Sequence, residues 1–183
     1  MFQTLLERIA LGLDDAGIPY MVIGGQAVLL YGEPRLTKDI DVTLGLGPDE
    51  LDRIVSAVRT LDLEMLVDPE KFTRETLVLP CRDRPSGIRV DLILSFSEYE
   101  KQAIERAHVI RIEDADVRFA TVEDLIVHKV VAGRPRDLED VRSIVRKNPH
   151  FDQAYVERWL AQFSKVVGES LKERFRASVD EQV

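Results

Sequence analysis

Three aspartates occupy positions from which their carboxylates could act together. Asp39 and Asp41 lie in the segment DIDVTL, where apolar and polar residues alternate as in a half-buried β-strand. This alternation puts both side chains on one face, with Cα atoms about 6.5–7 Å apart. Asp91 lies on the polar face of a later predicted strand, GIRVDLILS. If the two strands are neighbours, the three carboxylates meet on one surface.

Such a group of carboxylates needs positive charge. At about 5 Å and an effective dielectric constant of about 20, each pair repels by about 3 kcal/mol. Mg²⁺ binds one or two carboxylates together with phosphate oxygens and water. Two such ions about 3.5–4 Å apart would activate a hydroxyl and stabilise a leaving pyrophosphate. In the alternative interpretation, Asp39 and Asp41 only cover the wet face of an amphipathic strand, although aspartate is depleted in strand interiors.

A glycine pair precedes the aspartates. Gly24 and Gly25 separate a predicted strand, YMVIG, from a short predicted helix, QAVLLY. Backbone N–H groups in a turn that opens a helix form an anion site, and glycine lets a phosphate group come close. Without the aspartates, the pair would indicate only an ordinary tight turn.

Taken together, the run GGQAVLLYGEPRLTKDIDV resembles the polymerase-beta-like nucleotidyltransferases. The residues that match the family's pattern of a glycine pair followed by an acidic pair are Gly24, Gly25, Arg35, Thr37, Asp39 and Asp41. The segment VDLIL, with Asp91, resembles the strand that carries the family's third carboxylate. The segment EDLIVHKVVAGRPRDLEDV resembles the helical part of a subgroup that includes abortive-infection toxins.

The resemblance implies a reaction and its cofactors. A nucleoside monophosphate would pass from an NTP to a hydroxyl acceptor, and two Mg²⁺ ions would assist the transfer. Asp39 and Asp41 would ligate both ions, and Asp91 would bind the catalytic one and help to deprotonate the acceptor. The glycine turn would hold the triphosphate, with Arg35 and Thr37 as further nucleotide-binding residues. Many relatives carry serine after the first glycine; the glycine found here recurs in the toxin-like subgroup.

Several acceptors fit this reaction. Toxin-like relatives favour an RNA 3′ end such as that of tRNA, and they imply a toxin–antitoxin system with an antitoxin protein as partner. A protein hydroxyl or a small molecule such as an antibiotic fits the same chemistry. The alternative function is a non-catalytic nucleotide-binding or antitoxin-like regulatory module of the same fold, which would not need the third aspartate.

Two further charged residues lie on predicted helices after residue 120. Lys129 falls within the apolar stripe of its helix, where it either snorkels to water or, as the resemblance implies, meets nucleotide phosphates. Asp137, a further candidate nucleotide-binding residue, lies on the inward side of the next helix and could pair with Lys129 or Arg134, orient the acceptor, or only complement the helix dipole. Asp140, at the edge of that stripe, ranks lower. His128 points elsewhere, which predicts a surface position.

The predicted strands and helices indicate an α+β fold. Strands and helices alternate through residues 1–120, which we expect to form a nucleotidyltransferase core around a small mixed sheet. Residues 121–183 are predicted to form a C-terminal helical lobe that closes the nucleotide cleft. Thr121 is expected to cap the first helix of that lobe, and Pro135 to lie in the first turn of the second.

Composition limits the class of protein. The chain has 183 residues, a hydrophobic fraction of 45% and a formal net charge of −8. Residues 1–120 hold 14 Lys/Arg against 22 Asp/Glu, so the acidity belongs to the first part, whereas the remainder is neutral. One cysteine gives no internal disulfide and suits a reducing compartment. With no membrane-length apolar run, the sequence favours a cytoplasmic protein.

Overall fold

The computed structural model describes residues 1–180. It contains a mixed sheet and a set of helices, and the expected α+β fold is confirmed. The strands are β1 Tyr20–Ile23, β2 Asp39–Leu44, β3 Leu63–Met65, β4 Val78–Asp83, β5 Arg89–Leu94, β6 His108–Ile112 and β7 Ala115–Phe119. The α-helices are α1 Phe2–Asp15, α2 Gly24–Tyr31, α3 Leu51–Thr60, α4 Arg74–Thr76, α5 Glu98–Glu105, α6 Val122–Ala132, α7 Pro135–Lys147, α8 Gln153–Val167 and α9 Leu171–Asp180.

The chain divides into two compact units, and the boundary falls inside α2. The first unit is Met1–Gln26 with Leu36–Ala120, and the second is Ala27–Arg35 with the chain from Thr121 onward. The second unit therefore includes a segment, Ala27–Arg35, that the sequence pattern assigns to the first. Among residues 1–180, no helix has both the length and the apolar character needed to cross a membrane.

The first unit is built on a seven-stranded sheet with the order β3-β4-β5-β2-β1-β7-β6. Strands β2 and β5 are parallel neighbours at its centre. Strands β1 and β7 are also parallel, and the other pairs are antiparallel. Helix α1 packs on β7, α3 on β3 and α5 on β1. Apolar side chains that alternate along the central strands, such as Ile40, Val42 and Val90, are fully buried. Their burial fixes which face of β2 and β5 carries polar residues.

The second unit is helical, and local sequence signals set its helix ends. Thr121 caps α6 by accepting a hydrogen bond from the backbone N–H of Asp124, and Pro135 opens α7. Gly133 ends α6 in the left-handed conformation, at φ +63°. Helix α6 packs against α7, α8 and α9. Trp159 of α8 is buried, which supports a core role.

Candidate active site

The three aspartates share one face of the first unit's sheet. Strand β2 pairs with β5 in a register that sets Asp41 beside Asp91 and Asp39 beside Arg89. Residues paired in this way project to the same side of a sheet, and residues two apart along a strand do too. All three aspartates keep intermediate exposure, whereas the other face is buried. We call the surface formed by Asp39, Asp41, Asp91 and Arg89 the acidic face.

Arg89 provides positive charge within the acidic face. Its Nε donates to Oδ1 of Asp91 at 2.8 Å. This hydrogen bond is the main cause of a raised Arg89 pKa, and the charges of Asp39 and Asp41 raise the pKa further. From the sequence, a metal ion was the expected source of counter-charge for these carboxylates. The structure shows that an arginine partly neutralises the carboxylates.

The acidic face fits a hard divalent cation by the type and register of its ligands. Carboxylate oxygens on adjacent strands are the donors that Mg²⁺ prefers. Among the described residues, however, no three His, Cys, Asp or Glu side chains are grouped so that they could hold a metal ion. The bond from Arg89 occupies one oxygen of Asp91. A metal ion bound by this set would therefore compete with Arg89 for the carboxylate of Asp91.

Gly24 makes close contact with the acidic face. It starts α2 at φ +63°, a conformation that favours glycine. A Cβ at this position would lie 1.8 Å from Oδ2 of Asp41. Both the backbone conformation and the approach of the carboxylate therefore require glycine at position 24. Gly25, in the same turn, is buried.

Gly24→Ala should reduce stability more than Gly87→Ala does. Gly87 has a similar φ of +71°, but a Cβ there would meet nothing within 4 Å. Strain from a left-handed alanine, about 1–2 kcal/mol, applies to both variants. Only Gly24→Ala also displaces the carboxylate of Asp41. We expect the difference to appear in urea unfolding; equal losses would mean that the contact with Asp41 is unimportant.

Thr37 is buried in the first unit near the start of β2. Its Oγ1 accepts a hydrogen bond of 2.8 Å from Nε2 of Gln26, which is also buried. This bond ties the start of α2 to the segment that enters β2. In the structure, the hydroxyl of Thr37 therefore bonds Gln26, the residue that follows the glycine pair.

A second charged cluster lies wholly within the second unit. Nζ of Lys129 lies 2.7 Å from Oδ1 of Asp137 and 2.8 Å from Oδ2 of Asp140. All three side chains are at most 7% exposed. Arg35 forms a two-pronged contact with Asp140 at 2.8 and 2.9 Å, and Arg134 bonds Asp137 at 2.6 Å. We call these five residues the lysine cluster.

The lysine cluster shifts the ionisation of Asp137. Burial alone raises the pKa of its carboxyl, but the hydrogen bonds from Lys129 and Arg134 outweigh burial and lower the pKa. Pairing with Lys129 or with Arg134 was among the alternatives predicted for Asp137 from the sequence, and both pairs form. From the sequence, Asp140 ranked below Asp137, although Asp140 is the residue that joins Lys129 to Arg35.

His128 differs from its predicted surface position. His128 as a whole has intermediate exposure, but the Nε2 atom of its ring is buried. Burial lowers the pKa of the imidazole to about 4. The ring is therefore neutral at physiological pH.

The sequence and the fold were compared with those of known proteins. A family model described as "Nucleotidyltransferase of unknown function (DUF6036)" matches residues 2–176. No curated protein matches the sequence significantly. Similar folds occur in an antigenic nucleotidyltransferase-like protein from Paracoccidioides brasiliensis (18% identity, 96% of this chain and 92% of that chain, TM-score 0.57). They also occur in ANT(2″)-Ia in complex with adenylyl-2″-tobramycin (16% identity, 99% and 98%, TM-score 0.53).

The similarities to solved structures concern the fold. The solved structures share under a fifth of their residues with this chain, so they indicate a common architecture. The family model, in contrast, spans nearly the whole sequence, including both glycines, the three aspartates and the lysine cluster. The chain therefore belongs to the DUF6036 family of nucleotidyltransferases.

Proposed function

We propose that this chain is a Mg²⁺-dependent enzyme that transfers a nucleoside monophosphate from an NTP to a hydroxyl acceptor and releases pyrophosphate. The observation that carries the proposal is the parallel pairing of β2 with β5, which sets Asp41 beside Asp91. Asp39 follows on the same face. Membership in a nucleotidyltransferase family supports the same reaction.

Each residue of the acidic face has a proposed role. Asp39 and Asp41 would hold two Mg²⁺ ions, with Asp91 as a ligand of one of them. When bound, the ions neutralise phosphate charge and favour ionisation of the acceptor hydroxyl. Asp91 would accept the hydroxyl proton while the acceptor oxygen bonds to the α-phosphorus and the bond to the β-phosphate oxygen breaks. Chemistry of this kind depends on positioning and charge.

The nucleotide would be held by residues outside the acidic face as well. Gly24 and Gly25 would let the triphosphate approach the backbone N–H groups at the start of α2. On the sequence resemblance, Lys129 and Arg35 are proposed as further phosphate-binding residues with Asp137 beside them; their ion pairs with Asp137 and Asp140 would have to open for such a contact. Thr37 would support the turn through its bond to Gln26.

An RNA 3′ end such as that of tRNA is the proposed acceptor. Support comes from a pocket of about 620 Å³ within the second unit. Its lining includes four arginines, Arg35, Arg136, Arg142 and Arg146, beside three carboxylates, Glu33, Glu139 and Asp140. Arg35 and Arg146 bond Asp140 and Glu33. Arginine suits phosphate recognition because its planar fork matches phosphate oxygens. A role as the toxin of a toxin–antitoxin pair, with an antitoxin protein as partner, is proposed on the sequence resemblance to abortive-infection toxins.

A small cationic polyhydroxyl compound is the second candidate acceptor. The excess of acidic residues in positions 1–120 favours a positively charged substrate. Incubation of the protein with Mg²⁺, α-labelled NTPs and either total RNA or an aminoglycoside distinguishes the two. Label that stays attached to RNA in a denaturing gel supports an RNA acceptor. Label on the aminoglycoside supports a small cationic acceptor. Absence of transfer to either would count against both acceptors.

Asp91→Asn should separate catalysis from nucleotide binding. We expect transfer to fall by at least about a hundredfold, the scale seen when one electrostatic group is removed from an active site. NTP affinity should change by much less, since the other carboxylates and the glycine turn remain. Asp114→Asn is the control, because Asp114 lies in a turn with a side chain 96% exposed. Undiminished transfer by Asp91→Asn would favour a different base.

A further inference from the structure

Arg89 holds a central place in the acidic face. In the β2–β5 register it lies directly beside Asp39, and on its own strand it is two residues from Asp91. Its guanidinium bonds Asp91, and the register of β2 with β5 places Asp39 and Asp41 on the same face. One arginine thus lies on the face that carries all three proposed metal ligands and bonds one of them.

The two partners of this ion pair differ in exposure. The side chain of Arg89 is 54% exposed, whereas that of Asp91 is 17% exposed. The guanidinium can therefore move into solvent, where it is readily hydrated, while the carboxylate stays in place. A divalent cation carries twice the charge of the guanidinium and would compete with it for the negative charge of the Asp91 carboxylate.

We propose that Arg89 is the resident counter-ion of the acidic face and that a divalent cation must displace it from Asp91. This inference rests on the metal-dependent function proposed above. In the metal-free protein, Arg89 keeps three neighbouring carboxylates compatible with folding. It also sets the metal affinity, because binding breaks the ion pair. Arg89 is therefore a positioning residue that acts through Asp91.

Direct metal binding tests the proposal. The full chain is titrated with Mn²⁺ by electron paramagnetic resonance and with Mg²⁺ by calorimetry. We expect Arg89→Gln to bind either ion about tenfold more tightly, since a positive charge at the ligands has been removed. Without metal its melting temperature should fall below the parent's, and metal should restore it. Arg89→Lys, which keeps the charge but loses the planar fork, should bind with an affinity between the two.

A matched control separates contact from general charge. Arg82 on β4 is exposed and pairs in register with Arg89, so it presents the same charge one strand further from β2. Arg82→Gln should alter metal affinity by less than about twofold, because exposed charges at that distance are screened. Equal tightening by Arg82→Gln and Arg89→Gln would overturn the proposal, since simple net charge would then explain both.

The remaining outcomes distinguish this proposal from the function on which it rests. If the parent binds metal and Arg89→Gln binds it no more tightly, Arg89 is no competitor, and the metal-dependent function stands. If neither binds metal, both are wrong. If Arg89→Gln binds tightly where the parent binds weakly, both are supported.

Discussion

Lys129→Met should lower the free energy of unfolding by about 3–5 kcal/mol, the usual cost of leaving buried charges without their partner. Lys129 contacts the carboxylates of Asp137 and Asp140, and all three side chains are buried. Methionine keeps the length and apolar stem of lysine but removes the ammonium. Two carboxylates then remain in a low-dielectric environment with only Arg134 and Arg35 to offset them. Urea unfolding followed by circular dichroism measures the loss.

Lys165→Met is the control for this substitution. Lys165 is exposed on α8, so its replacement should change stability by no more than about 0.5 kcal/mol. If Lys129→Met were as mild, the arginines alone would suffice to neutralise the two aspartates.

Acid unfolding gives a second measure of the lysine cluster. The pKa of Asp137 is lowered in the folded protein, so its ionised form contributes stability above the ordinary pKa of aspartate. That contribution is lost as the pH falls through the lowered folded pKa. In Lys129→Met the carboxyl loses its main hydrogen-bond donor and its folded pKa rises, so the acid-dependent loss of stability contributed by Asp137 should be smaller than in the parent, and its sign should reverse where the folded pKa exceeds the ordinary value.

The strands that carry the aspartates, β2 and β5, and their faces could be predicted because apolar and polar residues alternate along them. In β2, Ile40 and Val42 are buried while Asp39 and Asp41 stay partly exposed, as the period of two requires. The three-residue strand β3, Leu63–Met65, is too short to show such a period and was not predicted. Its identity depends on pairing with β4, a contact between residues distant in sequence.

The acidic face was predictable in its members but not in its electrostatics. Sequence period places Arg89 on the same face as Asp91, yet it does not reveal whether the two side chains bond. The pairing of Arg89 with Asp39 depends on the β2–β5 register, which follows from the three-dimensional arrangement. Contacts across the sheet therefore decide where the counter-charge lies.

The second unit shows the same limit. Arg35 lies about a hundred residues before Asp140 in the sequence, so no local pattern predicts their two-pronged contact. Likewise, helical spacing places His128 on a different side of α6 from the apolar stripe that contains Lys129. Helix α6 packs against α7, α8 and α9, and Nε2 of His128 is buried. Spacing predicts direction on one helix, whereas burial depends on what packs around it.

Asp41→Asn should abolish transfer and metal-induced stabilisation together, while making the metal-free protein slightly more stable. Transfer should fall by at least about a hundredfold, because a ligand and its charge are lost from the active site. In the parent, Mg²⁺ at about 100 times its dissociation constant should add about 2.7 kcal/mol of stability, and this gain should vanish in the variant. Calorimetric melting with and without Mg²⁺ measures both effects.

The sign of the change without metal distinguishes repulsion from ordinary damage. Asp41 lies beside Asp91 and two residues from Asp39, so asparagine removes repulsion that Arg89 offsets only in part. We expect a gain of about 1 kcal/mol, below the roughly 3 kcal/mol of an unneutralised pair at 5 Å. Core damage would instead lower stability and activity together. Asp116→Asn, an exposed carboxylate on β7 paired with Arg111, should change neither quantity. A Mg²⁺-dependent shift as large in Asp41→Asn as in the parent would mean that Asp41 is not a ligand, and the proposed enzyme would lose its main support.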